Sequence, residues 1–375
     1  MTASLAAITM PKWGLTMTEG KVVRWSKGQG AGFAPGDELL EIETSKITNV
    51  IEAETTGTLA RIVAPEGTTL PVGALLAVVA PADAPTAEID AFISRFVVVE
   101  PPSEDTTEQA ATMKPRELDI AGDRLRYLEV GSAAGVPVVF LHGFGADLNS
   151  WMFNQPALAE SLRTIAFDLP GHGGSTKKVG AGDLASLTGI IESALTTLGA
   201  ERMHLIGHSM GGALAATLAA RRPERVATLT LIAPAGLGPE INADFIEGFV
   251  RATRRKDTGE VLHILVHDPS LVSRTMIEDV LRYKRLDGVT AALETIARAW
   301  FPGGRQAVDI VPDVMALDVP VQVIWGRDDR IIPAQHVDAV VARMSVHVLD
   351  HAGHLPHMEK TSEVNRLIRR IAEGT

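Results

Sequence analysis

The hydrophobic pattern of this 375-residue chain changes at a proline-rich, acidic stretch, and this change limits how the chain folds. Residues 81–115 contain five prolines and seven acidic residues, against only two basic residues. This composition is typical of a linker. Within it, residues 87–99 (AEIDAFISRFVVV) are predicted to form a docked helix or strand. The sequence therefore predicts a domain at 1–80, a linker at 81–115 and a second domain at 116–375.

The two flanking regions have different periodicities. In residues 1–80, short apolar runs separated by glycines predict a small all-β domain with tight turns. From residue 116 onwards, buried strand-like runs alternate with helical segments, which predicts an α/β domain with a mostly parallel sheet. Residues 237–318 are helical and poor in strands, and we interpret them as a helical cap. The predicted strands are Val136–Leu141, Thr164–Phe167, Met203–Ile206, Ala227–Ile232, Val321–Trp325 and His347–Leu349, after a hairpin near Ala121–Asp123.

Charge and composition exclude several classes of protein. With 35 basic and 46 acidic residues the net charge is −11, the wrong sign for non-specific binding of nucleic acid or an anionic membrane. The absence of cysteine excludes disulfides, a cysteine nucleophile and thiolate metal sites. No apolar run reaches the roughly 18 residues that a membrane span needs. The N-terminus has no secretory pattern, so we expect a cytoplasmic protein.

Lys46 follows an alternating pattern of apolar and acidic residues, Leu40 to Glu43, and precedes a second strand-like run. Two strands joined by a short polar turn hold such a lysine outward at a hairpin tip. A lysine in a turn is most often only a solvated surface residue.

The surroundings of Lys46 favour a specific interpretation. MPKWGLTMTEG at 10–20, Pro-Gly-Asp at 35–37, Glu-Thr-x-Lys at 43–46 and Gly57 resemble the lipoyl domains of 2-oxo-acid and acetoin dehydrogenase complexes. This resemblance implies that a lipoate-attachment enzyme links lipoate to Lys46 through an amide. Ser45 and Ile47 depart from the Asp and Ala that are common beside the lipoyl lysine. Biotinyl domains share the fold, but place their lysine between methionines.

A serine lies in a Gly-x-Ser-x-Gly motif at 207–211, between a predicted strand and a helix-like segment. A sharp strand-to-helix turn requires glycines on both sides of the nucleophile, because a Cβ there would clash with neighbouring backbone. The Ser209 hydroxyl also needs a base. In the required chain order, Asp329 and then His354 follow predicted strands, with His354 as the base and Asp329 orienting it. The residues alone leave Asp328, His351 and His357 as alternatives.

A second loop supplies a candidate oxyanion hole. His142-Gly143-Phe144-Gly145 ends the first predicted parallel strand, so the Phe144 and Met210 N–H groups are expected to stabilise a developing oxyanion.

The region from about residue 116 to the C-terminus resembles the α/β-hydrolase family, and Asp168–Ser175 (DLPGHGGS) matches a loop of that family. The resemblance favours Asp329, three residues after Gly326, and His354, in its Gly-His-x-Pro context. It also implies structural roles for Asp168 and His172. The other histidines have no metal-ligand spacing, so no metal is expected.

Together the two halves resemble the E2 components of acetoin dehydrogenase (acetoin cleaving) systems. Other E2 chains carry His-x-x-x-Asp-Gly, but here Tyr283 stands where that histidine would precede Asp287-Gly288. The resemblance implies a dihydrolipoamide acetyltransferase with coenzyme A as co-substrate. It also implies a homo-oligomer in a complex with a thiamine-diphosphate-dependent E1 and a dihydrolipoamide dehydrogenase E3.

The expected reaction moves acetyl from lipoyl-Lys46 through Ser209 to coenzyme A. Two alternatives stay open: a thioesterase, ester hydrolase or carbon–carbon hydrolase recruited by its lipoyl domain, and a non-enzymatic carrier or scaffold. Basic residues at 251–256 either bind the phosphates of coenzyme A or, more often for such a run, form a solvated helix face.

Overall fold

The computed structural model describes residues 5–11, 17, 19–44, 48–53, 55–81, 84–96, 114–131 and 135–374. The chain folds as two compact units, one of residues 1–110 and one that contains most of residues 111–375. None of the helices among the described residues is long and apolar enough to span a membrane.

The N-terminal unit contains two four-stranded sheets with the strand orders β1-β8-β6-β3 and β5-β4-β2-β7. Leu40, Ile42, Leu59 and Leu76 belong to the larger of its buried apolar clusters. A Cβ on Gly57 would lie 2.7 Å from the Phe33 ring, so this position admits no side chain without repacking the core. The strands are β1 Ala6–Thr9, β2 Glu19–Trp25, β3 Gly32–Phe33, β4 Glu38–Glu43, β5 Thr48–Glu52, β6 Gly57–Ile62, β7 Thr69–Pro71 and β8 Leu75–Val79.

Strands β4 and β5 form the hairpin that the sequence predicts around Lys46. They pair antiparallel, and the register places Glu43 opposite Thr48. Residues 44–47 therefore connect the strands directly. Lys46 itself lies outside the described residues.

Helix α1, Thr86–Arg95, packs on the N-terminal unit through Ile89, which contacts the core around Leu75 and Val78. An ion pair of 3.1 Å joins Arg61 Nη1 to Asp90 Oδ1. The helix lies within the predicted linker, residues 81–115. It overlaps residues 87–99, which the sequence predicts to form a docked helix or strand.

The C-terminal unit is built on an eight-stranded sheet with the order β16-β15-β14-β13-β11-β12-β10-β9. The edge strand β9 forms an antiparallel hairpin with β10, and β10 also pairs antiparallel with β12. The pairings from β12 to β16 are parallel. All residues of β11 to β14 are buried, as expected when helices cover both faces of a sheet. These strands are β9 Arg116–Ile120, β10 Asp123–Val130, β11 Val138–Leu141, β12 Thr164–Phe167, β13 Met203–His208, β14 Val226–Ile232, β15 Val321–Gly326 and β16 Ser345–Leu349.

Helices cover the sheet. Helices α5 to α9 lie between β14 and β15 in the chain. Because the carboxyl ends of parallel strands share one edge, the loops after β11, β13, β15 and β16 open on the same side of the sheet. The helices of this unit are α2 Gln155–Ala159, α3 Leu184–Thr197, α4 Met210–Arg221, α5 Ala243–Arg251, α6 Arg255–Leu262, α7 Arg274–Lys284, α8 Val289–Trp300, α9 Val311–Met315, α10 Pro356–Glu359 and α11 Thr361–Glu373.

Candidate active site

Ser209 occupies a strained turn between β13 and α4. Its backbone has φ 52° and ψ −118°, a conformation that costs a non-glycine residue about 1–3 kcal/mol. The flanking glycines permit this turn. A Cβ on Gly207 would lie 2.2 Å from the Gly211 carbonyl oxygen, and one on Gly211 would lie 2.2 Å from the Leu141 carbonyl oxygen. The steric reason that the sequence gives for both glycines therefore holds in the structure.

His354 and Asp329 form a buried pair at the same edge of the sheet. His354 Nδ1 lies 2.7 Å from Asp329 Oδ2. The same oxygen accepts the Trp325 indole N–H at 2.9 Å. The other carboxylate oxygen accepts the backbone N–H groups of Ile331 and Ile332 at 2.8 and 3.0 Å. These donors fix the carboxylate, which in turn orients the imidazole with Nε2 left to act on a substrate.

The adjacent carboxylate, Asp328, has a different partner and environment. Its Oδ2 lies 2.8 Å from His267 Nδ1, and both side chains are about 40% exposed, at 43% and 39%. His351 lies beside them. One ring nitrogen of each histidine and one carboxylate oxygen of Asp328 lie within 4.8 Å of one another. Asp328 and His351 therefore lie outside the His354–Asp329 pair. His357, the remaining alternative to His354, is buried, and its two ring nitrogens have no hydrogen-bond partner among the described residues.

Two neutral histidines shape the loop that carries Phe144. His142 Nδ1–H donates to the Gly143 carbonyl at 2.8 Å, and His172 Nε2 accepts the Gly145 N–H at 3.0 Å. Burial lowers the pKa of His142 to about 4 and that of His172 to about 3, so both rings are uncharged at neutral pH. Among the described residues the Phe144 and Met210 amides have no hydrogen-bond partner. Both N–H groups are therefore available to an oxyanion.

Aromatic side chains close the site on the side of Phe144. The Phe144 ring contacts the rings of Phe249 and Phe301 with centroids 6.0 and 6.1 Å apart. Phe249 belongs to α5, in the predicted cap. Ser209 and His354 are only 9% and 2% exposed. Together with the aromatic packing, this burial limits the access of bulk water to the Ser209 hydroxyl.

His208 contacts the backbone of His354. The sequence alone assigns no role to this residue. Its Nε2 lies 2.9 Å from the His354 carbonyl oxygen, so the ring donates there as the neutral Nε2–H tautomer. Burial is the main reason that the pKa of His208 lies well below its usual value. The His208 ring also packs between those of His354 and His357, with centroids 4.8 and 4.7 Å apart.

The basic run at 251–256 is largely neutralised. Arg251 pairs with Glu247 at 3.1 Å, Arg255 with Glu278 at 2.8 Å, and Lys256 with Glu260 at 3.8 Å. This arrangement favours the interpretation of the run as a solvated helix face.

The comparisons with known proteins cover both units. Residues 6–79 match the family described as biotin-requiring enzyme, and residues 136–361 match the family described as alpha/beta hydrolase fold. A meta-cleavage product hydrolase from Pseudomonas fluorescens has a solved structure similar in fold, with a TM-score of 0.64 and 24% identity. The similarity covers 70% of this chain and 99% of that one. The predicted fold classes are thus confirmed.

Two relatives match nearly the whole chain. A dihydrolipoyllysine-residue acetyltransferase component of the acetoin cleaving system from Pseudomonas putida is 45% identical over 364 residues, covering 97% of each chain. A protein of the same description from Cupriavidus necator is 41% identical over 371 residues, covering 99% of this chain and 98% of the relative. The two-domain arrangement, the serine elbow and these identities together show that the chain belongs to the family of acetyltransferase (E2) components of acetoin cleaving systems.

Proposed function

We propose that this chain transfers an acetyl group from dihydrolipoyl-Lys46 to coenzyme A through a Ser209–His354–Asp329 triad. The observation that carries the proposal is the buried His354–Asp329 pair at the sheet edge that also carries the Ser209 elbow. Such a constellation activates a serine for acyl transfer.

The hairpin β4–β5 fits the attachment of a lipoyl group. Glu43 and Thr48 are paired across the hairpin, so the lysine lies in a four-residue connection between them. Leu40 and Ile42 anchor this hairpin in the core. The lipoyl group, once attached by its ligase, supplies a thiol that carries the acetyl group as a thioester.

Ser209 Oγ attacks the thioester carbonyl while His354 Nε2 takes the hydroxyl proton. The Phe144 and Met210 N–H groups stabilise the oxyanion. The carbon–sulfur bond breaks, His354 passes the proton to the departing sulfur, and an acetyl-serine remains. In the second half-reaction His354 takes the thiol proton of coenzyme A, the sulfur attacks the acetyl-serine, and the proton returns to Ser209 Oγ. Asp329 stabilises the imidazolium in both halves.

The wider assignment follows from the family. The carrier implies an E1 that uses thiamine diphosphate to load acetyl and an E3, a dihydrolipoamide dehydrogenase, that reoxidises the dihydrolipoyl group. We propose that the chain is cytoplasmic and works as a homo-oligomer in this complex.

The decisive experiment is an acetyl-transfer assay with the full-length lipoylated chain, S-acetyl-dihydrolipoamide and coenzyme A, measuring acetyl-CoA and free acetate. Because Ser209 is the nucleophile, Ser209→Ala is expected to lower the rate by at least about 10³-fold. Ser193→Ala, which changes an exposed serine of α3, is the matched control and keeps the full rate.

Each alternative has its own outcome in this assay. Free acetate as the main product of the wild type, in the presence of coenzyme A, would assign a hydrolase. Acetyl-CoA formation by Ser209→Ala at the wild-type rate would assign a carrier without a catalytic serine.

A further inference from the structure

The backbone of His354 is hydrogen-bonded through both its N–H and its carbonyl group. Its N–H donates to the Leu265 carbonyl at 2.7 Å, and its carbonyl accepts His208 Nε2–H at 2.9 Å. The amide just before it, that of Gly353, donates to Glu359 Oε1 at 2.8 Å. The position of the imidazole therefore depends on the loop that contains Leu265 and on the side chain of Glu359.

Glu359 joins these two supports. Its second oxygen, Oε2, accepts the His267 N–H at 2.7 Å, so one carboxylate ties the 265–267 segment to the 353–354 segment. The two segments are in backbone contact, since a Cβ on Gly353 would lie 2.7 Å from the Leu265 carbonyl oxygen. Glu359 is only 7% exposed and ends α10.

We propose that Glu359 is a positioning residue, whose ionised carboxylate clamps the 265–267 and 353–354 segments and thereby holds His354 Nε2 at Ser209. The proposal rests on the assignment of His354 as the base in the proposed function. The clamp needs both oxygens as acceptors, and a carboxylate provides two acceptors where a protonated carboxyl or an amide presents a donor on one side.

The charge state of Glu359 changes near neutral pH. Burial raises its pKa to about 7, opposed by the N–H groups of His267, Gly353 and Leu355 and by the charge of Lys360. On the facing segments, the His267 ring is paired with Asp328 and the His354 ring with Asp329. His357, on the same helix, is neutral because burial lowers its pKa to about 3.

The test compares the wild type with Glu359→Gln by the rate of Ser209 acylation with p-nitrophenyl acetate, measured from pH 5.5 to 8.5 on the full-length protein. At pH 5.5 Glu359 is protonated and the two rates are expected to converge. At pH 8.5 the wild type is expected to be about tenfold faster. A misplacement of about 1 Å can cost about 10²-fold in rate, and the remaining backbone hydrogen bonds of His354 limit the shift. The ratio of the two rates cancels other titrations that both proteins share.

Glu363→Gln removes the same charge from a partly exposed position on α11 and is the matched control, with a ratio near one at every pH. Glu359→Asp keeps the charge and is expected to retain more activity at pH 8.5 than Glu359→Gln. A wild-type to Glu359→Gln ratio near one at pH 8.5 would overturn the positioning role, because the base would then keep its place without the carboxylate. If Ser209→Ala is acylated like the wild type in the same assay, it is the triad assignment that fails instead.

Discussion

Asp328 and Asp329 are adjacent in the chain but have opposite environments. The Asp329 side chain is fully buried and holds His354, whereas that of Asp328 is 43% exposed and pairs with His267. The difference arises from a buried indole and two backbone amides that converge on Asp329. One position along the chain therefore separates the proposed acid of the triad from a surface ion pair.

We expect Asp329→Asn to lower the rate of Ser209 acylation by about 10³–10⁴-fold, because an amide beside His354 Nδ1 favours the wrong tautomer of the imidazole. Asp328→Asn, which changes an exposed ion pair, is the matched control and is expected to alter the rate by less than about threefold. The measurement is the initial rate with p-nitrophenyl acetate at pH 8. Equal losses in both variants would refute this division of roles.

The serine elbow could be predicted from the sequence because its requirements are local. Gly207 and Gly211 flank Ser209, and both meet backbone atoms that a Cβ would overlap. The choice between Asp328 and Asp329 could not be made from the residues alone, because it depends on side chains brought together by the sheet. The family resemblance favoured Asp329. His208 was missed for the same reason, since its partner at His354 lies 146 residues away.

Glu359 joins helix α10 to the 353–354 segment through a hydrogen bond. Ionisation of this buried carboxyl is unfavourable for folding, because its pKa is raised from 4.5 to about 7. The folded state thus binds the proton more tightly than the unfolded state, and stability is lost as the pH rises through this range. The ionised form that positions His354 is the less stable one, a trade-off that is common at functional sites.

The raised pKa of Glu359 predicts how stability depends on pH. Between pH 4.5 and 7 the free energy of unfolding of the C-terminal unit is expected to fall by up to about 3 kcal/mol more in the wild type than in Glu359→Gln. Urea denaturation followed by the fluorescence of the buried Trp151, Trp300 and Trp325 measures it. A parallel course of the two proteins over this range would show that Glu359 does not titrate as the structure indicates.

Strand positions were largely accessible to prediction, whereas the contacts of short polar segments were not. The strand Thr164–Phe167 lies where its apolar run predicts it. The predicted strand Met203–Ile206 is two residues longer in the structure and ends at His208. The acidic partners of the basic run at 251–256 include Glu278 of another helix, which no spacing rule connects to Arg255. Apolar periodicity is a property of one segment, whereas these ion pairs are a property of the packed cap.

The carrier and the catalyst occupy separate units of the fold. Lys46→Arg is expected to abolish lipoylation, seen as the loss of the lipoyl mass on the peptide that contains residue 46. The same variant is expected to leave Ser209 acylation by p-nitrophenyl acetate within about twofold of the wild type, since neither the triad nor its supports change. Conversely, Ser209→Ala stays lipoylated. Loss of serine acylation in Lys46→Arg would show that the two units are not independent.

The loops that hold Ser209, Asp329 and His354 follow three different strands, β13, β15 and β16, of a single sheet. Their relative positions therefore exist only while the C-terminal half of that sheet is assembled. A serine-directed covalent probe consequently works as a folding sensor for this unit: labelling stops when β16 detaches, even where the β hairpins of the N-terminal unit are intact.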